Sequence, residues 1–259
     1  MKRFILLIVI LIIVIAFLFY KFDLLKYNKE YIPTEYEMKL IDYFKEIALK
    51  TEYDDNPEKV IKWRKVMSLY IYKEKEFEEQ MVVIFNTISI INDISSDGFK
   101  IEVTQNPTKA NAFLYLCKKE KVKVLAPKFY ELLNDDMIDY NYTGLTYVEF
   151  KWTNFVITKA LIFIDTEPSI EEQKLAIIEE VTQSIGLLND SDKYPDSIFY
   201  ENDSIKNSGN YQYSKMDLAL ISFLYNPKMK PGFNDRTAEL VIKKILKDEN
   251  NTLNRASSF

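Results

Sequence analysis

The most apolar stretch of the chain comes first. After Met1-Lys2-Arg3, residues Phe4 to Tyr20 read FILLIVILIIVIAFLFY, with no charge, Gly or Pro. A helix rises ~1.5 Å per residue, and a bilayer takes ~17–25 residues, so this run reaches the short end of a span. It is longer than the ~7–15 apolar residues of a cleaved signal peptide, and near its end only Ala16 is small. An uncleaved transmembrane anchor is therefore predicted over residues 1–20, with Phe19, Tyr20 and Phe22 at the aromatic belt. Lys2 and Arg3 favour an inside N-terminus, although Lys21, Lys26 and Lys29 flank the other end. A charged and aromatic stalk follows over 21–33.

The pattern then becomes that of a folded domain, predicted over 34–248. Thr34 to Leu49 carries Met38, Ile41, Phe44, Ile47 and Ala48 at helical spacing. A polar turn spans Glu52 to Pro57. Lys65 to Lys73 alternates like a half-buried strand, and Glu76 to Ile94 reads as a long helix that ends at Ser95-Ser96-Asp97-Gly98. Phe99 to Thr104, Asn111 to Cys117, Tyr147 to Ile157 and Ala160 to Asp165 read as four further strands. Ala126 to Asn141 is irregular or partly helical, and its Asp135-Asp136 pair reads as a solvated turn rather than a cation site.

Ser169 and Glu172 form a capping box for a helix that begins at Ile170 and runs to about Leu187. Asn189 to Tyr213 is a loop well beyond the ~12–15 residues at which loops are usually functional or disordered. Helices over Ser214 to Leu224 and Asp235 to Lys247 flank a Pro/Gly turn from Asn226 to Phe233, and 249–259 is a polar tail. This order predicts a mixed α/β (α+β) sheet with a long crossover helix and a helical C-terminal half.

Composition narrows the chemistry. The chain has no histidine, which excludes a Ser-His-Asp triad, a Cys-His pair and a His-ligated zinc site. Its one cysteine, Cys117, excludes an internal disulfide. A formal net charge of -5, with Lys and Glu interspersed, gives no electrostatic reason to expect nucleic acid.

One segment carries a motif. Residues 178–190 read IEEVTQSIGLLND, and they match the spacing of the extended zincin signature HExxHxxGxxH. Glu179, Gln183 and Asn189 fall at the three ligand positions, Glu180 at the catalytic Glu and Gly186 at the turn. Positions i and i+4 share a helix face, and Gly permits the positive φ that brings the chain back. The spacing is kept and every imidazole is gone. Downstream, Leu224 to Phe233 (LYNPKMKPGF) resembles a Met-turn, through Tyr225, Pro227, Pro231, Gly232 and Phe233.

The stretch EEVTQSIGLLNDSDKYPDSIFY, followed by MDLALISFLYNPKMKPGF, closely resembles the bacterial family of unknown function DUF2927. The resemblance runs from about Tyr36 to Phe233 and includes Trp63 and Ser197-Ile198-Phe199. It implies a degenerate zincin/metzincin-like fold with the pattern E-E-x-x-Q-x-x-G-L-x-N-D and a closing L-Y-x-P…P-G turn. The family's last turn often ends in Met, where this chain has Phe233.

Three readings of the motif stay open. Glu179 and Gln183 could clasp the following loop to the helix. Together with Asn189 and Asp190 they could line a cleft for a peptide or glycan. Their hard oxygen donors suit Ca²⁺ better than Zn²⁺, which leaves a carboxylate-rich hydrolase site as a rival. Without zinc, Glu180 alone cannot easily activate water. The expectation is an inactive, membrane-anchored, extracytoplasmic metzincin relative at the bacterial inner membrane. It would bind a peptide, protein or envelope polymer near the bilayer, with no metal and no cofactor. A structural envelope component is the remaining alternative.

Overall fold

A computed structural model describes residues 31–51, 57–133, 142–201 and 212–256. Five strands form one sheet among these residues: β1 (Met67–Lys73), β2 (Ile101–Val103), β3 (Ala112–Leu116), β4 (Gly144–Lys151) and β5 (Val156–Ile164). Their order is β2-β1-β3-β5-β4. The first four in that order are parallel, and β4 pairs antiparallel with β5. Seven α-helices accompany them among the described residues: α1 (Glu35–Leu49), α2 (Glu78–Ile94), α3 (Lys119–Leu125), α4 (Pro127–Leu132), α5 (Ile170–Gln183), α6 (Lys215–Leu224) and α7 (Asp235–Ala256). The architecture is mixed α/β.

The strand sequences explain the layering. In β3, Ala112, Leu114 and Leu116 face the main core, while Tyr115 joins a second cluster with Cys117, Val122 and Phe129. In β5, Ala160, Ile162 and Ile164 alternate with Leu161 and Phe163 in the same way. A strand covered on both faces reads as a continuous apolar run, which is why ALIFI shows no polar alternation. The crossover helix α2 joins parallel β1 to β2 and packs on α5, while α1 packs on α6 and α7. The small helices α3 and α4 cover the other face through Val122 and Phe129.

Several sequence expectations are corrected. The predicted anchor, Phe4 to Tyr20, and most of the stalk lie outside the described residues. Among the described residues no helix is long and apolar enough to cross a membrane. The described residues therefore form an α/β architecture with no membrane-spanning helix among them. The expectations built on the anchor lose their support with it: a membrane partner, an inner-membrane location, an extracytoplasmic or envelope role, and a ligand held near the bilayer. Asp135-Asp136 also lies outside the described residues.

The strand expected over Tyr147 to Ile157 is in fact a hairpin. β4 ends at Lys151, and Phe155 N–H donates to Lys151 O at 2.7 Å. Val156 N–H donates to Asn154 Oδ1, and Phe155 takes a positive φ of 56°. Apolar residues on both sides hide this turn in the sequence. Met38 lies on the solvent face of α1 rather than the core face. The C-terminal helix runs on to Ala256, past the expected stop at Lys247.

One ion pair joins a buried lysine to an exposed aspartate. Lys62 is 1% exposed. Its ammonium donates to Asp97 Oδ2 at 2.7 Å and to the carbonyls of Leu224 and Met229, and sits 4.5 Å from the Tyr225 ring centroid. Burial lowers its pKa, and Asp97 opposes that shift. Lys62 is the buried member, so removing Asp97 strands its charge. Asp97→Asn should therefore cost about 3 kcal/mol in urea denaturation, and Lys62→Met/Asp97→Asn should recover part of the loss.

Candidate functional site

The motif occupies the last turn of α5 and the loop after it. Ser169 caps the start of α5, with Glu172 closing the box. At the other end, side chains from distant elements satisfy the free carbonyls. Trp63 Nε1–H donates to Ser184 O at 2.9 Å, and Tyr225 OH to Ile185 O at 2.8 Å. Trp63 N–H in turn donates to Tyr225 Oη at 3.3 Å. Buried helix ends need such partners. Gly186 follows with φ +112°, and a Cβ there would stand 2.1 Å from Ile61 O. Both the conformation and the space demand glycine.

The structure places the motif residues as follows. Glu179 is half-buried on α5. Glu180 is buried, and its side chain runs beneath the first residue of β4, where a Cβ on Gly144 would lie 2.5 Å from Glu180 Cγ. Thr146 Oγ1–H, also on β4, donates to Glu180 O at 2.8 Å. Gln183 is buried, and its Nε2–H donates to Asp190 Oδ1 at 3.0 Å. Asn189 Nδ2–H donates to Asp190 O at 2.6 Å. Gln183, Asn189 and Asp190 are thus brought together by amide hydrogen bonds, while Glu180 is directed towards β4.

The described part of the loop is held at further points. Ser191 N–H donates to Phe199 O, and Glu201 N–H to Ser191 O. Lys193 pairs with Glu46 of α1, and Tyr194 packs edge-on against Tyr43. Beneath it lies a buried polar node. Tyr43 OH donates to Ser197 Oγ, and Ser197 OH donates to Asp217 Oδ1, each at 2.6 Å. Asp217 Oδ2 also accepts from Ser214 N–H at 2.8 Å and from Ile198 N–H at 3.3 Å. Asp217 has zero exposure. Burial raises its pKa above the ordinary 3.8, and the donated hydrogen bonds draw it partly back.

No group of three or more His, Cys, Asp and Glu side chains able to hold a metal ion occurs among the described residues. That removes the support for a carboxylate-rich hydrolase site around Glu179, Glu180 and Asp190. The sequence matches the family described as a protein of unknown function (DUF2927) over residues 37–244, well over half the chain. The chain belongs to this family. No curated protein matches it.

In this DUF2927 domain the closing turn lies against the end of the motif helix. Tyr225 is fully buried, stacks on Phe99 with centroids 4.1 Å apart, and donates to Ile185 O as described. Its own carbonyl accepts from Ser96 and Asp97 N–H. Pro227 is exposed, whereas Pro231, Gly232 and Phe233 are half-buried. Gly232 has φ +85° and faces the Phe155 ring. Trp63, which is buried in the core, is also a helix cap.

Sequence reasoning did not single out Lys62, Tyr43 or Asp217. The S-x-x-D spacing of Ser214 and Asp217 was a capping signal in plain view, and Lys62 interrupts the apolar run Val60-Ile61-Lys62-Trp63.

Two outcomes follow from this geometry. Gly186→Ala combines a forbidden φ with a backbone clash and should cost more than ~3 kcal/mol, read by thermal or urea unfolding. Asp217 holds its proton to a higher pH when folded than when unfolded. Its contribution to stability is therefore fully present below the ordinary 3.8 and is lost as pH rises towards the raised value. The stability of the native protein relative to Asp217→Asn should fall as pH rises through that window, measured by urea titrations at a series of pH values.

Proposed function

We propose that this DUF2927 domain is a non-enzymatic recognition module in which the zincin-spaced helix has become scaffold. The observation that carries this reading is the Gln183–Asp190 hydrogen bond. It uses the second ligand position of the signature to tie the following loop to α5. The rest of the motif supports the same reading. Glu180, the residue that acts as base in an active zincin, is packed under Gly144. Asn189 turns its amide onto the backbone of Asp190. With no histidine in the chain, neither the metal nor the activated water of that mechanism has its usual ligands. What remains is an α/β framework with the described part of the loop tied to it, suited to holding a surface in place for a polypeptide partner.

A double-mutant cycle on the intact chain tests the clasp. Gln183→Ala and Asp190→Ala should each lower unfolding stability, with a coupling of about 1 kcal/mol between them. The same protein should leave a peptide library uncut, with or without added Zn²⁺ or Ca²⁺. Metal-dependent cleavage that disappears in Glu180→Gln would overturn the reading.

A further inference from the structure

The hairpin turn between β4 and β5 carries the most exposed large aromatic side chain among the described residues. Trp152 is 57% exposed, although its ring stands 5.0 Å from Phe150 and 6.4 Å from Phe155, centroid to centroid. The turn beneath it is held from several sides. Phe155 keeps its positive φ while its carbonyl accepts from Lys62 N–H and its amide donates to Lys151 O. Its ring lies against Gly232, where a Cβ would come within 3.0 Å. A bulky residue in the left-handed region costs of order 1–3 kcal/mol and persists only where its surroundings impose it, and such residues cluster at ligand clamps and other functional sites. An aromatic ring fixed in advance loses little freedom on binding.

Three exposed cations are carried by the segments that meet at the turn. Lys151 adjoins Trp152 in sequence and is exposed, as are Arg64 and Lys230. Arg64 lies two residues after Lys62, whose backbone pairs with Phe155 and Ile157. Lys230 lies two residues before Gly232. Two acids on the adjoining segments have cationic partners: Asp97 pairs with Lys62, and Glu149 pairs with Lys159.

From this juxtaposition we infer that Trp152, with Phe150 and Phe155 behind it and Arg64, Lys151 and Lys230 around it, is the anchor of a surface that takes an acidic polypeptide segment bearing a large apolar side chain. Trp and Arg dominate binding energy at such surfaces, and rim cations select the partner's charge and speed its approach. The inference rests on the recognition reading above and names its surface.

The test uses the intact chain and a phage-displayed random peptide library. Recovered peptides should be rich in Asp and Glu around one aromatic or large aliphatic residue. The chain has two tryptophans, and Trp63 is 1% exposed, so a change in tryptophan fluorescence on binding reports Trp152. Trp152→Ala should weaken binding by roughly tenfold or more. Arg64→Glu/Lys230→Glu should weaken it and flatten its salt dependence. Both variants should keep the native circular dichroism spectrum.

Acidic peptides that bind Trp152→Ala unchanged would overturn this surface while leaving the recognition reading in place. Neutral or basic peptides would overturn the charge argument, and so would tighter binding of polyuridylate at the same residues. Self-association lost in Trp152→Ala would make a second copy the occupant instead. Failure to recover any peptide overturns both the surface and the recognition reading. Cleavage of the recovered peptides overturns the recognition reading alone.

Discussion

The tightest of the described glycine positions, Gly186 against the carbonyl of Ile61, fixes where its neighbours must lie. It brings the extended segment 60–63 against the end of α5, and those four consecutive residues then join four parts of the chain. Val60 exchanges backbone hydrogen bonds with Gly232 and Phe233, and Lys62 does the same with Phe155 and Ile157. The Lys62 ammonium reaches Asp97, Leu224 and Met229, and Trp63 caps α5 while donating to the Tyr225 hydroxyl. A side chain at position 186 would push this segment out and loosen the closing turn, the hairpin and the motif helix together. The charge on Lys62 belongs to the same constraint. An ammonium can be buried here because two backbone carbonyls, a carboxylate and an aromatic face all converge on it, and burial costs least where every donor is used.

This arrangement clarifies what the surviving zincin spacing does. In an active site the signature gathers three side chains on a metal, and the metal ties helix to loop. Here Gln183 and Asp190 join helix to loop directly, and Tyr43, Ser197 and Asp217 fasten the next stretch of that loop from below. An i, i+4 helix face followed by a glycine bend is useful with or without an ion, because it returns the chain to the helix it has just left. Here that return is held by the Gln183–Asp190 hydrogen bond.

How much of this could be read from the sequence depends on where the information sits. The capping box at Ser169, the two-sided burial of ALIFI and the glycine bend at Gly186 are encoded within a few residues, and each appears in the structure. The Lys62–Asp97 pair, the Tyr225–Ile185 hydrogen bond and the Ser197–Asp217 contact join residues far apart in the chain, and no local period announces them. The β4–β5 hairpin fell between these cases. Its signal, Asn154, was present, but Phe150, Trp152 and Phe155 extended the apolar pattern across the turn. A positive φ at a phenylalanine also contradicts local preference, which is why only tertiary support from Gly232 and Lys62 reveals it.

The position of β4 carries the last step. It is an eight-residue edge strand, and among the described residues it pairs only with β5. Open edges invite pairing with other chains, and proteins commonly blunt them with bulges and charge. β4 has both: a register shift between Glu149 and Phe150, and exposed Glu149 and Lys151 towards its end. Its beginning is narrowed by Gly144 over Glu180, and Thr146 is committed to the end of α5. The backbone ladder is thus interrupted where the strand is most exposed, and the aromatic side chains gather beyond that interruption. A partner reading this corner would gain more from the rings and cations of the hairpin tip than from extending the sheet. For that reason the proposed recognition surface is Trp152 and its neighbours, away from the motif helix.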